Sequence, residues 1–267
     1  MRTLLTGLGF GESPRWRDGR LWFCNWGTGE IISVDPTGSS KLELTVPVTL
    51  PYSIEWLPDG RLLVICGPDG RLLRREPDGT LATHAKLDGG MFNEIVVDRR
   101  GNIFINGGGF DGPGVVVVVT PDGRVRQVAD GIEFGNGMAV TEDGSTLIVA
   151  ESWGNRLSAF AVLPDGRLGG QRVWASLGDG APDGICLDAS GAVWYADVPN
   201  RCCVRVREGG EVLERVELDR GGFACALGGN TLYVLAAEFN GFETVEADLA
   251  ARTGILAAVE VSVPGLA

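Results

Sequence analysis

Short apolar runs rich in Val, Ile, Leu, Trp and Phe alternate along this chain with Asp-Gly, Pro-Asp-Gly and Gly-Gly turns. No stretch sustains a helical period, so the pattern predicts an all-β fold. Stacking the hairpins exposes a repeat. Glu12-Ser13-Pro14-Arg15-Trp16 leads through Asp18-Gly19 into Leu21-Trp22-Phe23, and Tyr52-Ser53-Ile54-Glu55-Trp56 leads through Asp59-Gly60 into Leu62-Leu63-Val64. Strands ending at Val97, Val140, Leu187 and Leu227 repeat the layout. The six anchors lie roughly forty residues apart, which predicts a six-bladed β-propeller forming one domain over residues 1–267. After the sixth hairpin one strong strand remains, near Ile255, so the last blade is a strand short. Residues 2–6 are predicted to supply it and close the ring. Residues 238–253 read as a loop or a short helical turn.

The first strand of each propeller blade lines the central channel. The residues four places before the anchors are Glu12, Tyr52, Asn93, Asn136, Asp183 and Phe223. Two carboxylates and two amides would thus face one channel mouth, flanked by two aromatics. Asp, Asn and Gly before a strand are also ordinary turn residues, so the pattern alone leaves open a set of turns or a metal site. As a donor set, four oxygens with a charge near −2 suit one hard divalent cation such as calcium or magnesium, and manganese or zinc would also be accommodated.

A net charge of −12 argues against nucleic acid as a partner. No apolar run is long enough to cross a membrane, and the N-terminal residues lack the pattern of a secretory signal; the expected location is the cytoplasm. The six cysteines show no Cys-x-x-Cys spacing and read as reduced strand residues. Cys202 and Cys203 are adjacent and should face opposite ways. His84 is the only histidine; a multi-histidine zinc site is therefore excluded, and no nucleophile motif accompanies it. Trp22, Trp26, Trp153 and Trp194 read as blade packing or channel-rim residues. Gly107 to Gly112 reads as a loop over the channel.

Gly9-Phe10-Gly11-Glu12-Ser13-Pro14-Arg15-Trp16, Asn136-Gly137-Met138-Ala139 with Ala150-Glu151-Ser152, and Ala181-Pro182-Asp183-Gly184-Ile185 resemble the signatures of the senescence-marker-protein/gluconolactonase family, over essentially the whole chain. The resemblance implies a six-bladed propeller with one catalytic divalent metal, calcium first among the candidates, that hydrolyses lactones. It implies Glu12, Asn136 and Asp183 as metal ligands, with Asn93 contacting substrate or metal. Members acting on sugar lactones often carry an arginine two residues before that asparagine; here it is Met91, and Glu94 stands where Asp is frequent. Losing that fork of donors argues for a less polar lactone or ester, unless Arg15 or Arg156 supplies the grip. Met91, Tyr52 and Phe223 complete the expected substrate contacts. Asp183 is the candidate base, with Glu151 a weaker alternative. A phosphotriester or fluorophosphate hydrolase on the same metal, or a non-catalytic metal-binding propeller, are the alternatives. The particular lactone, the cation and the oligomeric state stay open.

Overall fold

The computed structural model of the chain describes residues 1–108 and 112–266. Among them the strands form six four-stranded antiparallel sheets. The first blade runs outward from Phe10–Arg17 through Arg20–Trp26 and Glu30–Val34 to Ser40–Thr45. The inner strands of the next five are Tyr52–Trp56, Phe92–Val97, Gly135–Val140, Pro182–Leu187 and Gly221–Gly228. Each inner strand packs on its neighbours, and the sixth returns to the first.

Local sequence accounts for the hairpins. Arg17 pairs with Arg20, so Asp18-Gly19 is a two-residue loop. Both have positive φ, 51° and 74°, the conformation of a type I′ turn, which matches strand twist and favours Asp-Gly.

As expected, the chain's beginning completes its last blade. Arg2–Leu8 pairs with Gly254–Glu260, Arg2 opposite Ala258 and Leu8 opposite Gly254. Closure covers the outer side of Gly254–Glu260, which would otherwise be a sheet edge open to pairing with another chain.

Each blade has a neighbour on both faces, so second strands are buried on both sides; Leu62–Cys66 and Ile103–Gly107 are buried throughout. Cys202 packs in the apolar layer between the fourth and fifth blades and Cys203 in that between the fifth and sixth, the opposite orientations expected of neighbours in a strand. All six cysteines are free.

Similar layers separate every other adjacent pair of blades. A further cluster lies at the mouth, where Phe10, Phe223 and Ala237 meet Leu249. Leu249 belongs to a short helix, Val245–Ala251, preceded by the 3-10 turn Phe242–Thr244. Asp248 ties this segment down, accepting from Asn240 N at 2.8 Å and Asn240 Nδ2 at 2.7 Å. Among the described residues no helix is long and apolar enough to cross a membrane.

Candidate active site

The channel residues are set by β-bulges. In the third blade Phe92 pairs with Gly107 and Val97 with Ile103, so the inner strand carries one more residue than its partner. The first, fourth, fifth and sixth blades share this irregularity. A bulge leaves one residue unpaired and re-aims it. The shifted stretches hold Asn93, Asn136, Asp183 and Phe223; in the first blade the shift falls at Ser13-Pro14, directly after Glu12, which itself pairs with Cys24.

The second blade differs. Tyr52 through Trp56 pair without interruption with Cys66 through Leu62, so Tyr52 is the counterpart of Phe92. Its ring is fully buried between the first two blades, and its hydroxyl lies 2.8 Å from Asn25 O and 2.9 Å from Glu30 O. The expectation that Tyr52 meets substrate is therefore corrected, because regular alternation turns it into the core. Phe223 sits on the ring but is covered by Phe10, stacked at 4.5 Å. Met91 is 46% exposed.

Polar contacts join the remaining members. Asn93 Nδ2 donates to Asn136 Oδ1 at 3.1 Å. Burial first, then the charges of Asp183 and Glu94, push the Glu12 carboxyl well above its usual range. Burial first, then Glu94 and Asp197, push Asp183 up likewise, against the amide of Asn136 and the N–H of Gly184. Asp183 Oδ1 is buried without a hydrogen-bond partner. Among the described residues no three or more His, Cys, Asp and Glu side chains gather as a metal cluster; the ring consists of two carboxyls and two amides. Such a set still suits a hard cation, because two buried carboxyls and an orphaned carboxylate oxygen need a positive partner.

Deeper in the channel Arg15 Nε meets Glu55 Oε2 at 2.8 Å and Arg15 Nη2 meets Glu94 Oε1 at 3.0 Å. Glu94 Oε1 also accepts from Ser13 Oγ at 3.2 Å. Burial nevertheless raises the Glu94 carboxyl, with Arg15 opposing. Arg15 is thus committed to a buried ion network and does not supply a substrate grip. Arg156 is engaged with Glu151 at 2.8 Å and Glu133 at 3.2 Å. Glu151 is fully buried; burial pushes its carboxyl up, but Arg156, the N–H of Glu133 and Ser158 together hold it low. A carboxylate so fully engaged is a poor base.

Side chains from one blade hold the inner-strand backbone of the next, and Asn106 also holds that of its own blade. Ser13 Oγ accepts from Ile54 N at 3.0 Å and Ser53 Oγ donates to Asn93 O at 2.6 Å. Asn106 Nδ2 donates to Asn136 O, and Asn106 Oδ1 accepts from Glu94 N at 3.0 Å. Ser152 Oγ donates to Pro182 O at 2.7 Å, next to Asp183. Sequence reasoning missed these roles, since a lone Ser or Asn at a strand end carries no distinctive signal.

Of the tryptophans, Trp26 donates to Tyr52 O at 2.7 Å and Trp194 is fully buried. Trp22 packs edge-to-face on Trp56. Trp153 is half exposed and stacks on Phe134 at 4.5 Å. His84 lies in the outer strand Leu81–Lys86, with Nδ1 3.2 Å from Arg74 Nη1. Of the predicted loop over the channel, residues 109–111 lie outside the described residues. A surface hollow of about 420 Å³ at Thr141 and Asp143 lies at the other end of the inner strands, away from Glu12 and Asp183.

Residues 10–238 match the family described as the SMP-30/Gluconolactonase/LRE-like region. The chain is 26% identical to the 6-deoxy-6-sulfogluconolactonase of Pseudomonas putida, covering 96% of this chain and 93% of that protein. It is also 26% identical to the pentonolactonase XacC of Haloferax volcanii, over 81% and 76%. The crystal structure of a calcium-binding protein, regucalcin, from Agrobacterium tumefaciens superposes with a TM-score of 0.82 at 23% identity, covering 99% of this chain and 95% of that one.

Proposed function

The chain belongs to the SMP-30/gluconolactonase/LRE-like family, and from that premise we propose that it hydrolyses a lactone at the ring of Glu12, Asn93, Asn136 and Asp183. The observation that carries the reading is the buried carboxyl pair, Glu12 and Asp183, with Asp183 Oδ1 lacking a hydrogen-bond partner. The lactonase names of two relatives support it. The ring is built on four blades, and the second contributes Ser53 and Glu55 to its support, so we treat the propeller as one catalytic unit.

Glu12, Asn136 and Asp183 would hold one divalent cation, calcium first by the all-oxygen donor set, with magnesium, manganese or zinc as alternatives. Such a cation supplies polarisation of the ester carbonyl and a lowered pKa for water. Asn93 orients the Asn136 amide through their shared hydrogen bond. Asp183 Oδ1 accepts the proton as a water oxygen adds to the lactone carbonyl. When the ring C–O bond breaks, that proton passes to the departing alkoxide oxygen, giving the hydroxy acid. No histidine takes part, because His84 lies on an outer strand.

Six free cysteines suit a reducing compartment, and we place the enzyme in the cytoplasm, acting on a small molecule. The deciding assay is acid release from a panel of lactones by cation-loaded protein, with aryl phosphotriesters run beside it. Lactone turnover that chelation abolishes supports the proposal; turnover confined to phosphotriesters, or none at all, rejects it.

A further inference from the structure

The polar ring is overlain by an apolar one. The positions two residues before Glu12, Asn93, Asn136, Asp183 and Phe223 hold Phe10, Met91, Phe134, Ala181 and Gly221, none of them charged. From two of these an aromatic chain runs over the mouth. Phe10 stacks on Phe223 at 4.5 Å, Phe223 meets Phe239 at 5.9 Å, and Phe239 meets Phe242 at 5.4 Å. Phe242 then reaches Phe134 at 6.0 Å, which stacks on Trp153 at 4.5 Å. Phe239 and Phe242 lie in the segment joining the second and third strands of the sixth blade, so the chain passes the fifth blade and ends on the fourth.

The two ends of this chain differ. Phe10 and Phe223 are buried, whereas Trp153 and Phe242 are 50% and 54% exposed; Met91, at the equivalent position of the third blade, is 46% exposed. The exposed end is tied to the chemistry. Phe134 precedes Asn136 by two residues, and Trp153 follows Ser152, whose hydroxyl holds the Pro182 carbonyl. Arg15 and Arg156, the cations expected to grip substrate hydroxyls, are bound to carboxylates. A net charge of −12 further disfavours an anionic substrate.

We propose that Met91, Phe134, Trp153 and Phe242 form a subsite for a flat apolar group, so that the substrate is an aryl-bearing or aryl-fused lactone in preference to a polyhydroxylated one. The inference rests on the lactonase reading for its chemistry and on the aromatic rim for its selectivity. Rings stack favourably on aromatic faces, and a thioether packs well against a ring edge. A lining of three aromatic rings and a thioether has few polar atoms to pair with the hydroxyls of a polyol, which disfavours a sugar lactone on desolvation.

The test compares kcat/KM for dihydrocoumarin, γ-butyrolactone and glucono-1,5-lactone in cation-loaded protein. Dihydrocoumarin should exceed glucono-1,5-lactone by about tenfold or more, within the range that apolar pocket contacts supply. Phe242→Ala and Trp153→Ala should each lower the dihydrocoumarin to γ-butyrolactone ratio by about tenfold, and Met91→Arg should shift preference toward the sugar lactone. A sugar-lactone preference in the unmodified protein, or ratios unmoved by these changes, overturns the inference. Binding is read separately with 3,4-dihydro-2-quinolinone, a lactam of the same shape. Saturable quenching of tryptophan fluorescence that disappears in Trp153→Phe supports the subsite even if no lactone is opened, an outcome that rejects the lactonase reading alone. Absence of quenching counts against the subsite whatever the chemistry.

Discussion

Arg15 reaches from the first blade to the third, its Nη2 3.0 Å from Glu94 Oε1 and 2.7 Å from the carbonyl of Ile95. The pair is largely buried, with side-chain exposures of 17% and 9%. It braces the inner ring across the blade that lacks a bulge, and Glu55 of that blade completes the network.

Removing one partner of a buried ion pair strands the other charge. Arg15→Met should destabilise the protein by about 3–5 kcal/mol. Adding Glu94→Gln should recover part of the loss, because it removes the more buried of the two carboxylates that Arg15 pairs with, leaving only Glu55. Denaturant unfolding of the single and double variants measures the difference.

Loss of either ring carboxyl should cost activity and spare the fold. Glu12→Gln and Asp183→Asn should each abolish cation-dependent lactone hydrolysis while leaving the far-UV circular dichroism of the propeller intact. A folded Asp183→Asn protein with full activity would remove Asp183 from the mechanism.

Both carboxyls are raised by burial and by neighbouring negative charge. A carboxyl raised on folding binds its proton more tightly in the native state, so stability falls as pH rises through its folded value. In chelator, melting temperature should therefore decline as pH rises above the ordinary carboxylate range, and the decline should be shallower in Glu12→Gln. A pH profile identical to the unmodified protein contradicts this account.

Adding back a cation should reverse that cost. At about a hundred times its dissociation constant, a native-state ligand stabilises by about 2.7 kcal/mol. Titrating calcium and magnesium into chelated protein while following melting temperature and lactone turnover ranks the cations; chelation that affects neither quantity excludes the site.

Ser152→Ala tests positioning at one remove. Losing the bond to Pro182 O should cost about 1 kcal/mol of stability. The displaced Asp183 should lower kcat by about tenfold or more, as small misplacements at a reacting centre do. Ser152→Thr, which keeps the hydroxyl, should restore kcat; a kcat loss that Thr does not rescue assigns Ser152 to packing alone.

The glycines show how far the site was legible. A Cβ at Gly184 would lie 2.5 Å from Ala224 Cβ, and one at Gly137 2.5 Å from Ile185 N. Each follows a ring residue, Asp183 or Asn136, and each lets the adjacent inner strand approach closely. Asn-Gly and Asp-Gly in these places thus marked the convergence, although read locally they are only turn residues. Arg15 shows the opposite case: an arginine next to the first ring residues suggests a substrate grip, and nothing nearby in sequence announces Glu94 as its partner.

The turn residues, the apolar alternation and the forty-residue repeat determined the strands, their hairpins and the six-fold closure, because each depends on neighbours close along the chain. Which residue of each inner strand turns into the channel was decided by the tertiary structure. Counting back four places found Glu12, Asn93, Asn136, Asp183 and Phe223 because a bulge adds one residue in those blades. The same count found Tyr52 where no bulge exists, and its ring packs between blades instead. A bulge forms through pairing with the second strand and packing against adjacent blades. Those contacts exist only when the ring is closed, so the phase of each inner strand is a property of the assembled propeller.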